Sequence, residues 1–235
     1  MKYFVGTSGW LYPWNPRRSF DWYVQHSCLN AVELNMSFYR HPLPNMVRAW
    51  ALKGRSLKWS VKVSRLITHN FKLSEKAFNV WRRFRELFEP LDPYISFYLF
   101  QLPPSITPKS KTLIERFIVR SELGGRFALE VRNLKWFDIN YIKWASQLGI
   151  TWVSVDSPDF PRDIINTNGT VYIRMHGRNS WYSHYYTDEE LKEVVGKVLA
   201  TNPEKVFIFF NNNHDMLENA RRMLNILNVM SNHLS

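Results

Sequence analysis

The sequence of 235 residues predicts an α/β fold, a single (β/α)8 TIM barrel domain over residues 1–235. Two observations carry this prediction. Eight short apolar segments alternate with helical segments, with about thirty residues per unit, and no linker or low-complexity run divides the chain. Alternating strands and helices indicate a parallel sheet, and eight such units favour a closed barrel over an open sheet.

The predicted strands are short and end at turn residues or glycines. In the seventh, apolar residues alternate with Tyr172, Arg174 and His176, so one face of that strand is polar. The eight segments are Tyr3–Thr7, Asn30–Asn35, Lys58–Val63, Tyr94–Gln101, Phe127–Arg132, Ile150–Asp156, Val171–His176 and Lys205–Phe210.

The predicted helices show apolar residues at helical spacing, and residues such as Ser74 and Thr187 are suited to cap them. The segment from Asp156 to Gly169 lacks a convincing long helix. The alternation of strands and helices is therefore weakest at the sixth crossover, the connection between the sixth and seventh strands. The helices are predicted over Ser19–Ser27, Pro42–Lys53, Ser74 to about Leu91, Pro108–Leu123, Asp138–Leu148, Thr187 to about Ala200, and Asp215–Val229.

Composition narrows the class of protein. Cys28 is the only cysteine, which excludes an intrachain disulfide framework or a thiolate zinc site. The start of the chain does not resemble a signal peptide, and no apolar run approaches the length of a membrane span. We therefore expect a cytoplasmic protein without membrane contact. The formal net charge of +11 suits an anionic partner, although a basic surface typical of its source proteome explains the charge equally well.

Polar side chains gather where the predicted strands end, and in a (β/α)8 barrel those ends form the active site. The candidate catalytic residues are Glu33, Lys62, Glu130, Asp156 and His176. The candidate substrate-binding residues are Thr7, Ser8, Trp10, Asn35, Tyr39, Gln101, Arg132, Arg174, Gly177, Asn211 and Asn212.

The residue types suggest two kinds of chemistry. Arg174 and Arg132 suit a phosphate or carboxylate through paired hydrogen bonds, and Gly177 would let backbone N–H groups approach such an oxyanion. Glu33 and Glu130 could act as general acid and base if burial raises the pKa of one of them. Aromatic residues in the loops could stack on sugar faces or bases, or simply cover the barrel rim.

Two other interpretations of the same residues remain open. The acidic and basic side chains could neutralise one another in a purely structural network. Alternatively, Glu33, Glu130, Asp156 and His176 could bind a hard metal ion, but Lys62 and the two arginines oppose cation binding and no ligand motif reinforces it. We therefore expect neither a metal nor a cofactor.

Eight groups of residues at the strand ends form a recognisable pattern. They are Gly6–Trp10, Val32–Asn35 with Phe38-Tyr39, Val61-Lys62 with Ile67–His69, Phe100–Ser105, Glu130–Arg132 with Trp136-Phe137, Asp156–Pro158, Tyr172–Gly177 and Phe210–Asn212. Together they resemble domain-of-unknown-function family 72, the YecE-like proteins. The similarity covers essentially the whole chain in order. The resemblance implies a (β/α)8 barrel with a shared pocket and implies no particular reaction.

Two classes of function are consistent with these observations. The first is an enzyme, such as a hydrolase, lyase or isomerase, that acts on a small anionic, phosphate-bearing or sugar-like molecule. The second is a nucleic-acid-binding or nucleic-acid-processing protein that uses its basic surface. A basic patch localised at the pocket would favour nucleic acid, whereas scattered charge would favour a small molecule. The sequence leaves the substrate and the oligomeric state open.

Overall fold

Eight parallel strands, numbered β1 to β8 in chain order, form the barrel. They are Lys2–Thr7, Ala31–Leu34, Lys58–Lys62, Ile95–Gln101, Phe127–Glu130, Thr151–Asp156, Thr170–Met175 and Lys205–Phe210. Hydrogen bonds join them in the order β1-β8-β7-β6-β5-β4-β3-β2. The structure, a computed structural model, describes residues 1–232, so residues 233–235 of the predicted domain lie outside it. The predicted (β/α)8 fold is confirmed.

The α-helices of residues 1–232 are numbered α1 to α8. They are Phe20–His26, Met36–Tyr39, Pro44–Lys53, Glu75–Phe88, Lys111–Ser121, Ile139–Gln147, Asp188–Ala200 and Met216–Asn232. Helix α4 ends at Phe88, earlier than predicted, and a 3-10 helix follows over Glu89–Tyr94. Pro90 and Pro93 account for this end because neither can donate a backbone hydrogen bond.

The sixth crossover, between β6 and β7, contains no helix, in agreement with its weak sequence pattern. Side-chain hydrogen bonds hold it against β6 instead: the backbone N–H of Ile165 donates to Ser154 Oγ at 2.9 Å, and Thr167 Oγ1 donates to the Ile150 carbonyl at 2.6 Å. Among residues 1–232, no helix has both the length and the apolar character required to cross a bilayer.

The barrel interior is filled by an aromatic layer, separate from the larger core between the strands and the helices. The ring of Phe4 stacks on that of Phe207 with centroids 4.6 Å apart, and Phe97 meets Phe207 edge to face at 4.7 Å. Strand residues two positions further along on the same inward face lie nearer the carboxyl-terminal end of the barrel. The aromatic layer therefore forms a floor beneath the polar residues at that end.

Strands β1 and β2 close the barrel without a backbone ladder between them. Asn30 bridges the two strands, accepting from the N–H of Val5 at 2.7 Å and donating to the Tyr3 carbonyl at 3.1 Å. A Cβ at Gly6 would lie 2.4 Å from the carbonyl oxygen of Ala31, so this close approach of the two strands requires glycine.

Candidate functional site

Arg174 lies at the centre of the polar residues that fill the carboxyl-terminal end of the barrel. Its Nη2 donates to Glu33 Oε1 and its Nη1 donates to Glu130 Oε2, each at 2.7 Å. Arg174 is 1% exposed, and both carboxylates are fully buried. We call the group formed by Glu33, Lys62, Glu130, Arg132, Arg174 and His176 the mouth cluster. The predicted convergence of Glu33, Glu130 and Arg174 at one end of the barrel is thus observed directly.

Three residues besides Arg174 also donate hydrogen bonds to Glu33. Tyr172 donates its hydroxyl to Oε2 at 2.6 Å, Ser8 donates to Oε1 at 3.0 Å, and the Asn35 amide donates to Oε1 at 2.9 Å. Because these donors come from the residue after β2, from β7 and from the turn after β1, the carboxylate links the β1–β2 closure to β7 through the barrel interior. Its lone pairs are well satisfied, as a buried carboxylate requires.

Glu130 is paired with two arginines, since Arg132 Nε and Nη2 also contact its Oε1. Burial alone would raise the pKa of Glu130, but Arg132, Arg174 and Lys62 together lower it to about 2. Glu130 is therefore ionised at neutral pH and cannot donate a proton there. The expectation that burial raises the pKa of one of the two glutamates does not hold for Glu130.

His176 faces the same interior, fully buried. Arg132 Nη2 lies 3.1 Å from its Nε2, and the amide of Asn211 lies 3.3 Å from its Nδ1. Since arginine can only donate, Nε2 must accept, and in the neutral ring Nδ1 then carries the proton, which the Asn211 amide can accept only through its oxygen, the end opposite to the nitrogen placed there. Burial, reinforced by the charges of Arg174, Arg132 and Lys62, holds the pKa of His176 well below its usual value, so the ring is neutral.

Lys62 projects from the end of β3 into this cluster and is 8% exposed. Its amine donates to Gln101 Oε1 at 2.6 Å and lies 4.2 Å from the centroid of the Phe38 ring. Burial, with a further contribution from Arg174, lowers the pKa of Lys62 from 10.5 to about 7. At neutral pH a large fraction of the molecules therefore carries an uncharged amine that can accept a proton.

Aromatic side chains border the mouth cluster. The ring of Trp181 covers the Arg132 guanidinium at 4.6 Å and the His176 ring at 5.3 Å. On the other side, a cavity of about 200 Å³ is lined by Asn35, Tyr12 and Tyr39, together with Ser8, Gly9, Trp10, Leu11, Leu34 and Met36. Burial and the nearby Glu33 carboxylate raise the pKa of Tyr12, so its phenol stays protonated. These rings suit stacking on a ligand that binds at the mouth.

The structure corrects the sequence-based placement of Asp156, which does not join the interior carboxylates. On β6 it is Val153 that packs into the barrel, and Asp156, three residues later, faces outward. There it accepts from Arg178 Nε at 3.2 Å and from the Tyr186 hydroxyl at 2.9 Å. Asp156 anchors the chain after β7 and does not reach the mouth cluster.

Two further predicted binding residues on the β1 side also face away from the mouth. Thr7 Oγ1 donates to the Gly9 carbonyl at 2.7 Å, which shapes the turn after β1. The Trp10 ring packs outward, 4.7 Å from the ring of Phe20 and 5.5 Å from that of Trp50, in the core between barrel and helices. Its ring therefore supports the fold and is not free to stack on a ligand.

Gly177 and Asn212 likewise have structural partners. The Gly177 N–H donates to the Tyr186 hydroxyl at 2.8 Å, so it is not available to an oxyanion. A Cβ at Gly177 would lie 2.6 Å from the Ser180 carbonyl oxygen, and its φ is +111°, which explains the glycine. Asn212 is buried and donates to Asn219 Oδ1 at 2.8 Å, away from the cluster.

Two groups near the cluster are not among the candidate site residues. The alternating pattern of the seventh strand placed Tyr172 on the same polar face as Arg174, but Tyr172 was not chosen as a candidate. His69 lies on a π-helical turn, Leu66–Asn70, with its ring 5.0 Å from that of Phe38. Burial and the nearby Lys62 lower the pKa of His69 to about 4. No sequence signal pointed to the π-helical turn that holds it.

Within residues 1–232, no group of three or more His, Cys, Asp and Glu is arranged to hold a metal ion. The acidic pair Glu33 and Glu130 is instead separated by the Arg174 guanidinium. The charges of the mouth cluster nearly balance, with two carboxylates, two guanidinium groups and the Lys62 amine. The self-neutralising network that the sequence allowed is therefore present in the structure.

These features define a (β/α)8-barrel protein with a buried polar cluster at the carboxyl-terminal mouth. A family model described as "Protein of unknown function DUF72" matches residues 4–234, and the chain belongs to this family. The resemblance drawn from the strand-end segments is thus confirmed. A search of the curated proteins finds no match.

Solved structures of family members share the fold. A DUF72 family protein from Thermotoga maritima is 25% identical, with a TM-score of 0.83 over 97% of this chain and 100% of that chain. One from Enterococcus faecalis is 21% identical, with a TM-score of 0.84 over 96% of this chain and 95% of that chain. A xylose isomerase domain containing protein from Salmonella typhimurium is more distant, at 15% identity and a TM-score of 0.51 over 92% of each chain.

Proposed function

We propose that this protein is an enzyme that transfers protons on a small, sugar-like substrate bound at the mouth cluster. The observation that carries the proposal is the Lys62 amine. It lies on the inner wall of the barrel, is nearly buried, and its pKa of about 7 places it at the optimum for a general base or acid near neutral pH. Its partner is the neutral Gln101 amide at 2.6 Å.

The arginines support a sugar-like substrate better than a phosphate-bearing one. Arg174 already donates to Glu33 and Glu130, and Arg132 contacts both Glu130 and His176. A phosphate would have to displace these buried carboxylates to use either guanidinium. Hydroxyl groups, by contrast, can bind to the amides of Asn35, Gln101 and Asn211 without breaking an ion pair.

The glutamates favour proton transfer next to a carbonyl, as in isomerases and lyases, over glycoside hydrolysis. Hydrolysis by two carboxyl groups requires one of them to be protonated. Glu130 has a pKa of about 2, and Glu33 shares the same Arg174 guanidinium. In this proposal the two carboxylates hold Arg174 and Arg132 in place, while Lys62 takes up or releases the substrate proton.

The charge distribution at the mouth argues against the nucleic-acid alternative. A nucleic-acid site would place uncompensated cations there. Instead Glu33 and Glu130 offset Arg132 and Arg174 within the mouth cluster. The aromatic rim of Tyr39 and Trp181 suits the faces of a sugar ring as well as those of a base.

The proposal is tested by proton exchange in D2O. Purified protein is incubated with trioses, pentoses, hexoses and their phosphates, and loss of the proton next to the carbonyl is followed by ¹H NMR. We expect exchange with at least one unphosphorylated sugar, and a loss of about 100-fold or more in Lys62→Met, the range for removal of a general base.

Lys192→Met, which changes an exposed lysine on α7, is the matched control and should exchange like the wild type. Exchange in the wild type that persists in Lys62→Met would refute the role of Lys62. Saturation-transfer NMR of the same sugars reports binding separately, and absence of both binding and exchange across the set would refute the proposed substrate class.

A further inference from the structure

The amino-terminal end of the barrel contains a second cavity, of about 500 Å³, on the far side of the aromatic layer. Phe4 and Phe207 form its floor. Its polar lining includes Lys2, Lys58 and Lys205, and we call this cavity the lysine funnel. The lining contains no aspartate or glutamate. The funnel is therefore electrostatically different from the mouth cluster, whose charges nearly balance.

Strand geometry directs the three lysines into the funnel. Each is the first residue of its strand, and each lies two positions before a residue that faces the barrel interior: Phe4 after Lys2, and Phe207 after Lys205. Lys58 has the same relation to Ser60, whose hydroxyl lies 2.7 Å from that of the buried Tyr172. The lysines thus occupy inward-facing positions on β1, β3 and β8.

The backbone register brings two of these charges side by side. Lys2 and Lys205 are direct partners in the β1–β8 pairing, and neighbouring strands lie about 4.8 Å apart. The two side chains therefore start from neighbouring backbone positions, and an anion that binds between their amines relieves the repulsion between the two like charges. In the described part of the chain, no carboxylate lies within 4.0 Å of the amine of Lys2, Lys58 or Lys205.

The other charged groups near the funnel do not neutralise it. Arg126, also in the lining, pairs with Asp92 at 2.7 Å. Glu204 precedes β8, and its side chain lies against Gly169 at the edge of the funnel. One carboxylate at the edge leaves the three lysines in excess.

We propose that the lysine funnel binds a small polyanion that carries two or more phosphate groups. The volume lies within the range of small-molecule pockets, about 300–1,000 Å³, and a concave funnel of this size suits a compact ligand better than an extended strand. Lysines are effective phosphate ligands as point charges. The funnel lies at the opposite end of the barrel from the mouth cluster, so this inference does not depend on the proposed enzymatic function.

The test is isothermal titration calorimetry with inorganic tripolyphosphate at low ionic strength. The wild type is compared with a triple variant, Lys2→Gln, Lys58→Gln and Lys205→Gln. The matched control carries Lys76→Gln, Lys109→Gln and Lys192→Gln, three exposed lysines outside the funnel that give the same change in net charge.

We expect the funnel variant to bind tripolyphosphate about tenfold or more weakly, because each lysine contributes a hydrogen bond from a charged group. The control variant should stay within about threefold of the wild type, the residual effect of net charge alone at this ionic strength. Circular dichroism melting should show that the funnel variant is folded, because removing neighbouring like charges relieves their repulsion.

Three results would overturn the inference. The first is equal weakening in both triple variants, which would indicate attraction by net charge only. The second is no heat of binding in the wild type at millimolar tripolyphosphate. The third is tighter binding of a short single-stranded oligonucleotide than of tripolyphosphate, lost in the funnel variant, which would identify an extended nucleic acid as the ligand.

Discussion

Arg174→Ala removes the guanidinium that separates Glu33 and Glu130, and we expect it to destabilise the protein strongly. Both carboxylates are fully buried and would lose their shared cation. Removing one partner from a buried ion pair costs about 3–5 kcal/mol because the remaining charge is uncompensated. For a chain of this length, about 2–4 °C per kcal/mol gives a decrease in Tm of roughly 10 °C.

The assay is urea unfolding followed by tryptophan fluorescence. Arg174→Lys should recover part of the lost stability, since lysine keeps the charge but lacks the planar guanidinium that donates to both carboxylates. Arg120→Ala is the control: it breaks the exposed ion pair with Glu75, at 48% and 69% side-chain exposure, and should leave the midpoint almost unchanged. An Arg174→Ala midpoint equal to that of the wild type would refute the reasoning.

The stability of the wild type and of Arg174→Ala should depend on pH in different ways because the pKa of Glu130 differs between them. Its pKa is lower in the folded protein, about 2, than its ordinary value of 4.5. A carboxylate with a lowered folded pKa contributes stability that is complete above the unfolded pKa and is lost as pH falls through the folded pKa. In Arg174→Ala burial is opposed by fewer charges, so the pKa rises and protonation relieves the unpaired charge. The deficit relative to the wild type should therefore be largest at neutral pH and shrink as the pH falls towards about 2, where the wild-type carboxylate is protonated as well.

The effect of phosphate on Tm distinguishes two roles for Arg174, binding an anion or pairing with the buried carboxylates. If Arg174 held an anion, phosphate would stabilise the wild type and would stabilise Arg174→Ala much less. Because its guanidinium is already engaged by carboxylates, we expect the same phosphate-induced change in Tm in both proteins. A phosphate effect that disappears in Arg174→Ala would restore the anion site at the mouth.

Three other predictions concern separate parts of the molecule. Gly6→Ala should lower the free energy of unfolding by about 1–3 kcal/mol or more, because the new methyl group would overlap the Ala31 carbonyl; an unchanged urea midpoint would contradict the tight β1–β2 closure. Asp156→Asn should weaken the contacts to Arg178 and Tyr186 and lower Tm, without altering sugar binding at the mouth by NMR; a change in binding with an unchanged Tm would return Asp156 to the site. Elemental analysis after dialysis should show no stoichiometric zinc or manganese, since Arg174 separates the two buried carboxylates; a retained metal would contradict this charge arrangement.

The fold could be predicted from the sequence because every strand, and every α-helix except the short α2, carries a local sequence signal. Apolar segments bounded by glycine, proline or capping residues are local signals, and eight of them in alternation define the barrel. The closure between β1 and β2 is not a local signal. It depends on Gly6, and on Asn30, which lies next to β2 and bonds to Val5, 25 positions earlier on β1.

The site was only partly predictable because proximity to a strand end does not fix the direction of a side chain. Glu33, Lys62, Glu130 and Arg174 share the inward-facing alternation and are brought together. Asp156 ends its strand on the outward alternation, and only the packing of neighbouring residues distinguishes the two cases.

Pairing within the site could not be predicted either. Composition showed that acids and bases could offset one another, but not which ones would meet. Arg174 reaches across the barrel to Glu33, 141 positions earlier in the sequence. A contact of this kind follows from barrel closure and not from any sequence pattern.

The central claim, a proton-transfer site built on Lys62, is tested most directly by NMR titration of the Lys62 side chain. In protein labelled with ¹³C and ¹⁵N at lysine, the Cε and Nζ shifts of Lys62 are assigned by their absence in Lys62→Met and followed with pH. Burial and the nearby Arg174 predict a midpoint of about 7, with the amine neutral above it. A midpoint near the ordinary 10.5 would mean that Lys62 stays charged at neutral pH, and would contradict the account.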